Sequence, residues 1–162
     1  MPQVVAEVWV PVSPAEAFAV SQTTGDLRLR WDPFITAQRF LDGATAAAKD
    51  VRTLTKARLG PSMVSRYVSY RPPTSVGMTM EEGPWFFATF GGGWRFTPET
   101  RDGTDGALAS WKYTFTTKPA WLAPIADRIG EIVLHREIRT RIDAFAQACA
   151  DAELVAQAAQ RQ

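Results

Sequence analysis

The sequence contains one cysteine, Cys149, and one histidine, His135. A single cysteine forbids an intramolecular disulfide and fits a reducing compartment. A zinc site draws three or four ligands from cysteine, histidine and carboxylates. One of each, far apart, argues against such a site, and neither metal nor cofactor is expected. Any Ser-His-Asp or Cys-His arrangement would have to use His135. Both residues fall on a predicted C-terminal helix, roughly 21 Å apart at ~1.5 Å per residue, so they form no dyad. Cys149 reads as a small buried hydrophobe. His135 reads as a solvated or capping residue, with a cavity position left open.

Other absences narrow the field. No run of ~18 apolar residues exists to span a membrane. The start, Met1-Pro2-Gln3-Val4-Val5-Ala6-Glu7, lacks the basic and apolar regions of a signal peptide, and a cytoplasmic location is expected. Lysine plus arginine total 18 against 17 acidic residues; this balance gives no reason to expect nucleic acid as a partner. There is no Walker loop and no Gly-x-Gly-x-x-Gly after a strand. Gly91-Gly92-Gly93 lies inside a predicted strand and cradles no phosphate. Arg128, Arg136, Arg139 and Arg141, with Glu131, Glu137 and Asp143, read as a solvated helix face; Glu137 and Arg141 have favourable i,i+4 spacing.

What is present is aromatic. Six Trp, nine Phe and three Tyr supply the composition shared by cores and ligand pockets. The chain, 162 residues long, fits one domain over 1–162 that buries roughly 70% of its unfolded surface. The tail beyond about Leu154 is expected to fray.

Val4 to Val10 reads as a strand. Ser13-Pro14-Ala15-Glu16 then starts a helix: Ser13 caps, Pro14 suits the first position, and Glu16 completes a capping box. A short helix near Leu27–Arg30 ends at Trp31-Asp32-Pro33. Strands follow at about 35–41, 51–59, 62–70, 75–81, 85–97 and 107–117. The gaps carry Asp-Gly, Gly-Pro and Pro-Pro turn chemistry, and their shortness favours antiparallel pairing. In the last strand Ala107, Ala109, Trp111, Tyr113 and Phe115 share one face, as in a sheet covered on one side. The three glycines predict a bulge or sharp bend.

After Pro119 the pattern is helical. Leu134, Ile138, Ile142, Phe145 and Cys149 form one stripe. Leu122, Ile125, Ala126, Ile129 and Val133 form another that points nearly opposite at ~100° per residue. A bend or break between Arg128 and Leu134, at Gly130, would reconcile them. A straight helix would instead turn the first stripe toward something else, such as the partner subunit of a homodimer.

The order of four segments resembles the START-like (SRPBCC) superfamily, and within it the polyketide cyclase/dehydrase-type proteins. These segments are Val10–Phe18, Trp31-Asp32-Pro33, Gly93–Pro98 followed by Gly103-Thr104, and the terminal helix with Ile142 and Phe145. The resemblance implies an α+β helix-grip fold, a curved antiparallel sheet of six or seven strands around the long helix, with a cavity between them. It implies binding of lipids, polyketides or other apolar molecules, and in some members cyclisation, aromatisation or dehydration. It carries no fixed catalytic motif to this chain.

The candidate lining is therefore read from the pattern: Trp31, Tyr67, Met78, Met80, Phe87, Trp94, Trp111, Tyr113, Ile129 and Val133. Trp94 and Phe96 read as core more than Trp31, which sits at a loop entry. The strand around Tyr67 has two possible orientations, Tyr67 inward or Arg66 inward, and the first is preferred. Three functions remain open. The chain binds or carries a small apolar molecule. Alternatively it is a cyclase-, aromatase- or dehydratase-type enzyme using Tyr67 or Tyr113 as general acid, with Arg66 or Arg95 holding an enolate or carboxylate. In the third reading it is an interaction module with a collapsed cavity.

Overall fold

The capping box at Ser13 forms as its sequence dictates. The Ser13 hydroxyl accepts from the Glu16 amide and the Glu16 carboxylate accepts from the Ser13 amide, starting α1 (Pro14–Ser21) directly after β1 (Gln3–Val10). A computed structural model describes residues 1–162. The chain continues through α2 (Gly25–Leu29), β2 (Ile35–Phe40), β3 (Arg52–Ala57), β4 (Ser62–Arg71), β5 (Ser75–Glu82), β6 (Phe87–Arg101) and β7 (Thr104–Thr117). It ends in α3 (Ala123–Cys149) and α4 (Ala152–Gln160).

The strands make one seven-stranded antiparallel sheet in the order β1-β7-β6-β5-β4-β3-β2. Asp102 and Gly103, both at positive φ, join β6 to β7 in a two-residue turn whose twist matches the strands it connects. The predicted alternation of β7 is present: Ala107, Ala109, Trp111, Tyr113 and Phe115 are all buried. The glycines of β6 keep unbroken register with β7, so they mark a bend and not a bulge. A Cβ on Gly92 would collide with the Lys112 carbonyl oxygen, and one on Gly93 with that of Val76. Only glycine lets the neighbouring strands approach so closely. Register shifts in β2, β4 and β6 add to the curl.

α3 is one uninterrupted helix, which corrects the expected break at Gly130. Gly130 instead lets the helix approach the sheet: a Cβ there would lie 2.7 Å from the Phe115 ring. The second half of α3 grips β1 and β7. Leu134, Ile138, Ile142, Phe145 and Cys149 are buried there, and Phe145 packs against Trp31, Trp94 and Phe96. Burial pushes the Cys149 thiol up to about 12, so it stays protonated and packs as a hydrophobe. His135 is exposed.

The tail is helical as α4. Asp151 caps α4 by accepting from the Glu153 and Leu154 amides, and Leu154, Val155 and Ala158 are buried as α4 packs on α1. The pattern was there to see: buried positions spaced by one, three and four residues behind a capping aspartate.

Candidate functional site

The first half of α3 touches β7 at Gly130, against Phe115, and at Asp127, which accepts from the Thr117 amide and hydroxyl, but its apolar stripe has no such support. α3 packs mainly on β1 and β7, while β5 follows β6 only from Ser75 to Thr79 and the sheet curls away beyond. The gap is a cavity of about 620 Å³. Leu122, Ala126, Ile129 and Val133, four of the five residues of the helical stripe that faced away from the core, form its roof, while Ile125 lies outside the lining and is 64% exposed. No bend is needed, because the stripe covers a hollow. Loops at Pro61, Trp85–Phe86 and Pro119 also line it. Trp85 is 74% exposed, so this end is the mouth.

Most expected lining residues are brought together. Tyr67 on β4, Met78 and Met80 on β5, Phe87 and Trp94 on β6, and Trp111 and Tyr113 on β7 all face the cavity with Ile129 and Val133. Trp94 stacks on Trp111 with ring centroids 4.1 Å apart. Trp31 is the exception. It is buried in the core beside Phe145 and donates its indole N–H to the Thr23 hydroxyl at 2.9 Å. The expected ranking of Trp31 over Trp94 is thus reversed, because the residues after Trp31 fold back under α3.

Tyr67 points inward, as preferred, and donates to Gln22 Oε1 at 3.1 Å. Arg66 therefore lies on the outer face, paired with Asp50 and Glu81. Arg95 is exposed between the buried Trp94 and Phe96. Neither arginine reaches the cavity to hold an enolate or carboxylate.

Two other arginines do. Arg141 on α3 grips Asp32 with two bonds, Nε to Oδ1 at 3.1 Å and Nη2 to Oδ2 at 2.7 Å, the geometry that suits a planar guanidinium. Its Nη1 donates to the Tyr113 hydroxyl at 2.6 Å, and that hydroxyl donates to Glu137 Oε1 at 3.2 Å. Arg28 on α2 donates from Nε to Asp32 Oδ2 at 2.9 Å. Arg141 also lies over the Trp111 ring and Arg28 over the Trp31 ring, each at 4.4 Å. Arg28, Tyr113, Glu137 and Arg141 all line the cavity.

The electrostatics follow from burial and pairing. Burial opposes ionisation of Asp32, but Arg141 and Arg28 overcome it and hold the carboxyl at about 2. Burial raises Glu137 despite its contact with Arg141. Burial likewise raises Tyr113 and Tyr67, so both hydroxyls keep their protons at neutral pH. The arrangement offers a protonated phenol beside a carboxylate at the edge of an apolar hollow.

This cluster was missed, since Arg141 and Glu137 read as a solvated face. One signal was available. Arg141 sits three residues after Ile138 and four before Phe145, inside the apolar stripe. An arginine on a buried stripe needs a buried partner, and Asp32 in Trp31-Asp32-Pro33 supplies it. No three His, Cys, Asp or Glu side chains cluster in the cavity.

A curled antiparallel sheet, a long helix gripped across one half of it and a hollow under the other half define a helix-grip protein of the START-like type. The sequence carries that assignment further, because the family model "Polyketide cyclase / dehydrase and lipid transport" matches residues 1–150. The chain belongs to this family. Among solved structures it is similar to the protein XoxI from Bacillus cereus, with TM-score 0.74 and 16% identity over 94% of this chain and 99% of that one. It is also similar to a START superfamily protein from Mycobacterium smegmatis, with TM-score 0.70 and 12% identity over 93% and 98% of the two chains. Ara h 8.0201 aligns with TM-score 0.65 and 19% identity over 91% and 97%. At such identities the likeness concerns the fold alone. No curated protein matches the sequence.

Proposed function

We propose that the chain binds a small, largely apolar molecule inside the cavity, as a carrier or sensor. The observation that carries this reading is the 620 Å³ hollow roofed by Ile129 and Val133 and walled by Met78, Trp94 and Trp111. Ligand pockets of ~300–1,000 Å³ have this mix of apolar walls and a few placed polar groups. Met78 and Met80 add side chains that adapt to an irregular shape. An open hollow speaks against the interaction module with a collapsed cavity. Native mass spectrometry of the purified chain tests the proposal: a co-purifying apolar molecule is expected, lost in Ile129→Asp. A chain that carries nothing and takes up no apolar probe would overturn it.

One observation favours a second reading, an enzyme of the cyclase or dehydratase type. Tyr113 and Glu137 meet at the cavity wall beside Arg141. A phenol kept protonated by burial can protonate an oxygen as a bond to it breaks, and such transfer contributes ~10²–10⁴-fold. Under this reading Tyr113→Phe abolishes turnover of a poly-β-ketone while the substrate still binds. Retained turnover would contradict it.

A further inference from the structure

Several polar side chains of the cavity are used up by partners within the chain, whereas Gln38 Oε1 and Thr53 Oγ1 in its lining are buried without one. Tyr67 is paired with Gln22. Arg141 spends Nε and Nη2 on Asp32 and Nη1 on Tyr113 and Glu137. Arg28 is different. It is 5% exposed and lines the cavity. Its Nε is bound to Asp32 and its Nη1 to the Ser21 carbonyl at 2.7 Å, one face of its guanidinium is covered by Trp31, and its Nη2 makes no hydrogen bond within the protein.

The local charges are also paired unevenly, since both carboxylates contact Arg141 and only Asp32 contacts Arg28. Asp32 is shared by two guanidinia. Glu137 faces only Arg141 and Tyr113. Burial is the largest influence on Arg28 and outweighs the help from Asp32, lowering its hold on its proton. A buried cation that shares its one carboxylate with a second guanidinium and keeps a free, fixed donor suits an anion.

We infer that the cavity's ligand is an apolar molecule ending in a carboxylate, which Arg28 Nη2 binds at the floor while the apolar body lies under Ile129 and Val133. This rests on the cavity-binding reading and deepens it. A guanidinium offers two parallel donors to a carboxylate, and only Nη2 is free here, so the contact uses one donor edge. A neutral ester or alkyl terminus in the same place leaves Nη2 without a charged acceptor.

Fluorescence titration with three probes of matched body tests this: 1-pyrenebutyric acid, its methyl ester and 1-butylpyrene. The acid is expected to bind at least about tenfold tighter than either neutral probe, since a site built for a polar group rejects analogues that lack it. Arg28→Met removes the preference, and Arg66→Met, on the outer face, keeps it. Should Arg28→Met fail to fold, the ¹⁵Nε resonance of Arg28 in the unmodified protein answers the question. It shifts with the acid and stays put with the ester.

Equal binding of all three probes would overturn the inference while leaving the cavity reading intact. Failure of all three to bind would instead count against the cavity reading itself. Equal binding of acid and ester, both above 1-butylpyrene, would make the head group a neutral carbonyl and overturn the anionic assignment. A preference for the acid that survives Arg28→Met, with an unmoved Arg28 resonance, would place the anion elsewhere and overturn it too.

Discussion

α3 has two halves with the same kind of side chain and opposite surroundings. From Leu134 to Cys149 its apolar stripe is buried against β1 and β7. From Leu122 to Val133 its apolar stripe is exposed: Ile129 and Val133 are each 57% exposed because they stand over a hollow. The difference teaches that an apolar stripe states only that something apolar must cover it. In one half the cover is the protein's own sheet. In the other there is a hollow, which the proposed ligand would fill.

That contrast can be attacked by mutation, beginning with the core half. Phe145→Ala removes a ring packed on Trp31, Trp94 and Phe96 and should cost about 3–5 kcal/mol in urea denaturation. A loss below about 1 kcal/mol would mean that this half is as loosely covered as the other. Arg141→Met comes next. It leaves buried Asp32 with Arg28 as its sole ionic partner and should cost about 3 kcal/mol. An unchanged midpoint would show that the cluster contributes little to holding α3 on the sheet.

A third effect is set by pH. Asp32 is held at about 2, below its ordinary 3.8. The stability from this lowered carboxyl is complete above about pH 4 and is lost as pH falls toward 2, a loss of about 2 kcal/mol. Glu137 acts in the opposite sense, since its carboxyl is raised: its contribution is present below 4.5 and fades as pH rises through the raised value. Glu137→Gln should therefore remove the change in stability above pH 4.5 and leave the acid loss between pH 4 and 2 in place, whereas Asp32→Asn should flatten that loss. Denaturation midpoints at several pH values decide the matter.

The smallest effect on stability belongs to the roof. Ile129→Asp should change folding by within about 0.5 kcal/mol, as for other exposed positions, yet weaken binding of an apolar probe at least tenfold by setting a charge over the hollow. A large loss of stability here would erase the distinction between the halves.

The sheet and the terminal helix were legible in the sequence because period-two alternation in β7 and three-four spacing in α3 are local signals. The cavity wall was largely legible for the same reason, since inward positions alternate from Tyr67 through Met78, Met80, Trp94, Trp111 and Tyr113. The polar cluster was not, because Asp32 and Arg141 are 109 residues apart and only the tertiary fold brings them together. Trp31 was misplaced on the same account: a loop residue by sequence, it is drawn into the core by the chain folding under α3. The helix break was inferred from two stripes on the premise that all apolar surface must be buried by the protein, and the hollow removes that premise. α4 was overlooked because alanine-rich, polar composition hid a short amphipathic repeat.

The cavity and its occupancy are tested most directly by the four methionines. Met63, Met78 and Met80 line the cavity, and Met1 is 79% exposed. With ¹³C-methyl-labelled methionine, titration of 1-butylpyrene should shift the signals of Met63, Met78 and Met80 and leave Met1 in place. Shifts confined to Met1, or none at any methionine while the probe binds, would show that apolar molecules settle outside the fold and would contradict the account.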